Sequence, residues 1–371
     1  MRERGWWQWM SFDFEQDRQD KRYRHYHYLQ RFSHWRMILI YLIVILCVTI
    51  TLTTAIGNIY ISPLEIVALF GSKLHLCDLD VPYGHEVIIF QVRLPRIIMG
   101  ILVGFALSTA GTAMQGLFKN PMADPYIIGI ASGAGVGAAL SIILLPYFFA
   151  DYTTPFMAFL GAMLATFMVY NIAKVGGRIP VDTLLLTGIA VSLFLSAVLS
   201  LMMYLAGHDL GYIYAWLMGR IDSPNWQKVE ITAFSVFVCF FLIYIFARDL
   251  NAMLLGEESA RTLGINVETV KKILLVLSAF ITAAAVAFAG TIGFVGLIIP
   301  HITRILVGPD HRILFPASAL LGGIFVAWAD AGIRLLDALL PFGEIPIGVI
   351  TAFFGVPFFI YLLRSRRQGL L

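Results

Sequence analysis

The stretch RLPRIIMGILVGFALSTAGTAMQGLFKNPMADPYIIGIASGAGVG, residues Arg93 to Gly137, decides the fold class. It holds two arginines bracketing a proline, an apolar run, a polar reversal and a second apolar run. Small residues recur at every fourth position: Gly100, Gly104, Ser108, Thr112 and Gly116 in the first run, then Gly129, Gly133, Gly137 and Ser141 in the second. A run of about 20 apolar residues crosses one hydrocarbon core. Lipid supplies no hydrophobic drive for helix association, so stripes of small residues predict membrane helices packed backbone to backbone. The stripes are read as packing, and no ligand is assigned to them. The arginine pair and the polar reversal need a separate explanation.

The rest of the chain extends the same pattern. Of its 371 residues 59% are hydrophobic and only 13% charged, with a mean hydropathy of +0.82; a soluble domain carries about 25% charged residues. Repeated apolar runs predict an all-α polytopic membrane protein with about ten transmembrane helices, near 37–57, 95–114, 127–146, 155–171, 184–206, 229–247, 271–289, 292–307, 313–330 and 346–363. An amphipathic stretch near Tyr212–Met218 is expected to lie at the interface. Residues 1–36 form a separate segment with eight Lys/Arg, five Asp/Glu and many aromatics, read as a cytoplasmic tail. The apolar run after it is too long for a signal-peptide core and lacks a small-residue cleavage site. The ten-helix domain then spans 37–371. Cys47, Cys77 and Cys239 have no metal or disulfide spacing, and a net charge of +3 does not imply a nucleic-acid partner.

Basic residues set the orientation. With the N-terminus inside, cytoplasmic segments collect 20 of the 26 Lys/Arg, as the positive-inside rule requires. Both termini are therefore expected in the cytoplasm of a cell-membrane protein, with Arg364, Arg366 and Arg367 anchoring the last helix. Arg93, Arg96 and Arg334 are exceptions, falling outside at helix ends. Mid-span regions hold essentially no carboxylates or histidines, which disfavours a proton-coupled secondary carrier. His75, His85, His208, His301 and His311 are scattered, which disfavours a membrane-embedded enzyme or a resident metal. The chain also lacks a GxxxxGK[ST] phosphate loop. If ATP drives this protein, ATP and Mg are bound by another chain.

Among the polar cytoplasmic segments the longest is RDLNAMLLGEESARTLGINVETV, Arg248–Val270. Gly256 and Gly264 bracket a short predicted helix with Glu257 and Glu258 in its first turn, where the helix dipole favours acids. Ala260 and Leu263 form a small apolar face beside Arg261. So short a helix is marginal alone in water, so docking into a groove on a cytosolic partner is expected.

At this point the sequence resembles a known family, the FecCD-type permease subunits of ABC importers for iron chelates, haem and vitamin B12. The resemblance rests on RLPR (Arg93–Arg96), GLFKNPMADPYIIGIASGAGVG (Gly116–Gly137), LLLTG (Leu184–Gly188), LGEESARTLGI (Leu255–Ile265), IGFVGLIIPHITR (Ile292–Arg304), DHR (Asp310–Arg312) and EIPIGVITAFFGVPFFIYLL (Glu344–Leu363). It covers nearly the whole chain after residue 60, and the first 36 residues depart from it. It implies a ten-helix subunit of two inverted halves that forms a homodimer around a central path, with two cytosolic ATPase subunits below and a substrate-binding protein outside. It implies further that about 249–268, with Gly256, Glu257, Glu258, Ala260, Arg261, Leu263 and Gly264, couples to the ATPase. Arg93, Arg96 and Arg334 would pair with carboxylates of the binding protein. Pro180, Val181, Asp182 and Thr183 would form the cytoplasmic gate, and the fifth and tenth spans would line the path. AGTAMQGL (Ala110–Leu117) and AGTIGFVGL (Ala289–Leu297) echo each other as two halves would.

The arginines also invite an argument of their own. Pro95 favours the first turn of a helix, and positive charge there opposes the helix dipole. An external anion is therefore expected, either a partner's carboxylates or an anionic chelate, with snorkelling interface arginines as the plainer alternative. The expected function is a permease subunit importing a metal chelate, a ferric siderophore first, haem or cobalamin next, an oxyanion such as molybdate more distantly. The DPYIIG form of the third-span start looks more like iron-chelate members. The chain itself is expected to perform no bond chemistry.

Overall fold

The computed structural model describes residues 34–367 except 58, 74–81, 146–148, 177–178, 222–223, 340–342 and 344. The cytoplasmic tail read from 1–36 lies almost wholly outside the described residues. All ten expected spans appear as helices: α1 (His34–Ala55), α4 (Leu94–Leu117), α5 (Ile130–Leu144), α6 (Thr153–Ala173), α7 (Val181–Leu205), α9 (Trp226–Ile245), α12 (Val267–Ala289), α13 (Val295–Val307), α14 (His311–Leu339) and α15 (Ile347–Arg367). Seven are long and apolar enough to cross a membrane, counting α4 with the turns before it, and Ile130–Leu144, Val295–Val307 and Ile347–Ile360 are shorter apolar helices. Short helices join them: α2 (Pro63–Lys73), α3 (Tyr83–Val87), α8 (Leu210–Leu217), α10 (Ala247–Leu254) and α11 (Glu257–Thr262). α8 is the expected amphipathic stretch, whereas α2 carries no span-length apolar signal and was not anticipated.

α4 is the central pillar, packed against α14, α12, α13 and α9. The glycine stripes explain why it can be. A Cβ on Gly104 would lie 2.0 Å from the Gly322 carbonyl oxygen, and one on Gly322 would lie 1.9 Å from Ser108 Oγ, so α4 and α14 meet at backbone contact. The second stripe does the same for α5 and α6, where a Cβ on Gly133 would lie 2.4 Å from the Gly161 carbonyl oxygen. The two echoing segments also touch one another. Gly111 packs on Gly296, where a Cβ would lie 1.9 Å from the carbonyl oxygen, and Gln115 Nε2 donates to Leu297 O at 2.9 Å.

Two segments depart from regular helix. The first lies before α4. Pro95 does not begin a helix, because α3 runs through a π-helical segment, Ile88–Arg93, directly into α4. Such a segment tolerates backbone groups that lose their regular partner, and the Phe90 carbonyl accepts from Trp226 Nε1 at 2.8 Å. The second lies between α12 and α13, where the helix unwinds at Gly290 (φ 67°) and restarts after Phe294, a non-glycine residue at φ 68°. A bulky side chain in the left-handed region is strained and persists only where its surroundings hold it. Here Tyr126 holds the segment: its hydroxyl donates to Ile292 O at 3.1 Å and accepts from Ile292 N at 3.2 Å.

Candidate functional site

The two ends of the bundle carry different chemistry. At one end the three exceptional arginines converge on α1 and on a single carboxylate. Arg96 Nε donates to Asp330 Oδ1 at 2.8 Å and Arg334 Nε to Asp330 Oδ2 at 2.9 Å, so each oxygen of a fully buried carboxylate takes one guanidinium. Arg334 also donates to Thr53 O at 2.9 Å and to Ile56 O. Arg93 donates to Thr54 O at 2.8 Å and to Ile59 O. These carbonyls belong to the last turn of α1 and the residues just past it. The final carbonyls of a helix lack intrahelical partners and carry the negative end of its dipole, which suits cations.

This geometry corrects the dipole argument. Arg93 and Arg96 do not stand at the start of a helix, since helical backbone precedes them from Tyr83. Their charge is met by Asp330 and by the end of α1. Arg93 and Arg334 are only 7% and 8% exposed, and the Arg96 side chain 11%. Asp330 stands four residues before Arg334 on one helical face, whereas its bond to Arg96 spans 234 residues and needed the tertiary structure. Asp330 lies well inside its helix, because α14 continues to Leu339.

The opposite end carries the expected coupling and gate residues. α11 begins after Gly256 (φ 123°), with Glu257 and Glu258 in its first turn, and Gly264 (φ 84°) follows it. Its side chains do not form the expected single apolar face. Ala260 is fully buried against the rest of the chain, whereas Leu263 is 66% exposed and neighbouring Leu255 76% exposed. A residue three positions further along a helix sits about 300° around it, but α11 ends at Thr262, so Leu263 no longer follows helical register. The outward apolar pair is therefore Leu255 and Leu263. Arg261 points toward Glu268 of α12, Nη2 to Oε1 3.6 Å.

Pro180 is the N-cap of α7, with Asp182 in the first turn, and its carbonyl accepts from Leu184 N at 3.0 Å. Pro180 and Asp182 are exposed, Val181 and Thr183 half-buried. Next to α11, Asn251 of α10 donates to Asp310 Oδ1 at 2.8 Å, and Asn251 Oδ1 accepts from His311 N at 2.9 Å. Arg312 holds the same carboxylate, Nη2 to Oδ2 2.6 Å. Burial alone would raise the Asp310 carboxyl, but the hydrogen bonds from Arg312 and Asn251 outweigh it and hold it at about 2. These bonds fasten the helix preceding α11 to the start of α14.

An open pocket of about 720 Å³ is lined mainly by apolar groups, among them Met218, Phe294, Val349 and Phe353. It joins the unwound segment to α15, where a Cβ on Gly355 would lie 2.4 Å from the Phe294 ring. Apolar walls with few polar groups suit a bulky ligand held loosely.

Comparison with known proteins agrees with this architecture. A model of the FecCD transport family matches residues 42–365. The cobalamin import system permease protein BtuC of Halobacterium salinarum is 46% identical, over 77% of this chain and 76% of its own length. The Fe(3+)-citrate import system permease protein YfmE of Bacillus subtilis is 37% identical, over 90% of this chain and 96% of its own. The hemin transport system permease protein HmuU of Yersinia pestis is 37% identical, over 75% of this chain and 83% of its own. A solved chain described as a metal-chelate type ABC transporter in an inward-facing conformation is 30% identical, with a TM-score of 0.77 over 89% of this chain and 99% of that one. Built around a glycine-striped central helix and matched over nearly its full described length, this chain belongs to the FecCD transport family.

Proposed function

We propose that this chain is the membrane-spanning permease subunit of an ATP-driven importer that passes a metal chelate, a ferric siderophore foremost, into the cytoplasm. The observation that carries the reading is α11, a short helix at one end of the bundle that turns Leu255 and Leu263 outward with Glu258 beside them. Two exposed leucines in a polar segment call for a partner surface. In an importer permease that surface belongs to the ATPase, which supplies ATP and Mg chemistry that this chain lacks. A second copy completes the path along α7 and α15, and both termini lie in the cytoplasm. The arginine end then faces outward, toward a substrate-binding protein. Direct pairing of that protein with Arg93, Arg96 and Arg334 is part of the proposal, although each guanidinium already has acceptors within the chain. A second reading, cobalamin as cargo, is favoured by the 46% identity to a cobalamin permease.

The test is uptake into liposomes holding the permease with its ATPase, with binding protein supplied outside. Accumulation of a ferric hydroxamate siderophore only with ATP is the expected result. Cobalamin or hemin accumulating in its place would reassign the cargo. Uptake of any of them without ATP would overturn the importer reading.

A further inference from the structure

α11 and the segment leading into α7 are far apart in sequence, yet one carboxylate touches both. Glu268 stands in the first turn of α12, where the helix dipole favours a negative charge. Its two oxygens are divided between two parts of the chain. Oε1 faces Arg261 Nη2 at 3.6 Å and Lys271 Nζ at 3.8 Å. Oε2 accepts the backbone N–H of Ile179 at 3.2 Å. Lys271, only 7% exposed, reaches back to Glu257 Oε1 at 2.7 Å. α12 thus grips α11 at its first residue through Lys271 and near its last through Glu268.

On the far side of Glu268 little slack exists. Ile179 is 5% exposed and precedes Pro180. A residue before proline is confined to extended backbone, and the proline ring fixes its own φ. Pro180 is itself the N-cap of α7. Displacing the Ile179 N–H therefore moves the first turn of α7 with no soft residue between them.

We propose that Glu268 is a positioning residue that carries displacement of α11 to Pro180–Thr183 at the start of α7. The proposal rests on reading α11 as the ATPase-coupling helix and Pro180–Thr183 as the gate. Glu268 makes no contact with cargo or nucleotide in this role; it sets the position of the gate backbone. Arg261 and Lys271 supply the attraction on the α11 side, and the directed N–H···O bond supplies the link to the gate.

The experiment uses the permease assembled with its ATPase subunits, a nitroxide at Thr183→Cys, and Cys47, Cys77 and Cys239 replaced by alanine. Pulsed electron spin resonance reads the distance between the two copies' labels with and without ATP and vanadate. The parent complex should shift its ratio of open to closed gate. Glu268→Gln, which matches the native side chain in shape but loses the charge and turns one acceptor oxygen into an NH2 donor, should reduce that shift about fivefold, the lower range of measured couplings between sites. Glu268→Ala should abolish it. A residue that merely stapled the fold would lower the thermal midpoint and leave the shift intact. A parent-like shift in Glu268→Gln therefore overturns the proposal, even if the alanine variant fails to assemble. No shift in the parent would instead overturn the coupling and gate reading, and the relay with it.

Discussion

Asp330 shows how one residue can reverse an argument. In sequence it is an acid near a span end; in the structure it is fully buried and shared by Arg96 and Arg334. Removing one partner of a buried ion pair leaves uncompensated charge and costs about 3–5 kcal/mol. Asp330→Asn should therefore lower stability by about that much, measured by thermal unfolding in detergent, and should loosen α1, measured as faster proteolysis near Ile56–Ile59. Arg93→Glu with Arg96→Glu tests the proposed docking role. Binding-protein capture should fall while the dimer and ATPase assembly persist, and the thermal midpoint must be read beside it because the same change breaks contacts to α1. Asp124, in the reversal after α4, gives a pH signature. Burial pushes its carboxyl up to about 6, against the pull of the Tyr126 N–H it accepts. A folded pKa above the unfolded one means stability that is fully present below about 4 and lost as pH rises through about 6. The thermal midpoint should fall between about pH 4 and pH 6 in the parent and level off above, and Asp124→Asn should flatten that dependence.

At the scale of elements, the stripes were legible because their cause is local: small residues at intervals of four lie on one helical face whatever the partner. The partners, α14 for α4 and α6 for α5, were not written in either stripe. α11 illustrates the opposite case. Its position and caps were readable from Gly256, Glu257, Glu258 and Gly264, but Ala260 and Leu263 were grouped on one face although the helix ends between them. Which residues point outward was decided by where the helix stops. Leu255→Asp with Leu263→Asp should abolish co-purification of the ATPase, with dimer formation and thermal midpoint unchanged because both side chains are exposed in this chain. Retained co-purification would count against the coupling role.

For the whole molecule, the proposed importer role requires the pocket and its flank on α15 to rearrange for cargo to pass. Strain at Phe294 and close contact with Gly355 place the unwound segment directly against α15. Gly355→Val should wedge the two apart. Uptake in the liposome assay should fall at least about tenfold, because overpacking costs roughly 1–3 kcal/mol and displaces the path walls, while ATPase assembly is retained. Normal uptake would show that this contact is not part of the path.

The sequence by itself determined the membrane class, the ten spans, the packing stripes and the family. Each rests on local composition, on periodicity or on contiguous motifs. The tertiary structure alone decided where the charges go. Arg96 meets Asp330 across 234 residues, Arg93 and Arg334 meet the end of α1, and Glu268 meets Ile179 across 89. Such pairs carry no sequence period, since in a low-dielectric interior a buried charge is satisfied by whichever group the packing of distant helices brings within hydrogen-bond reach.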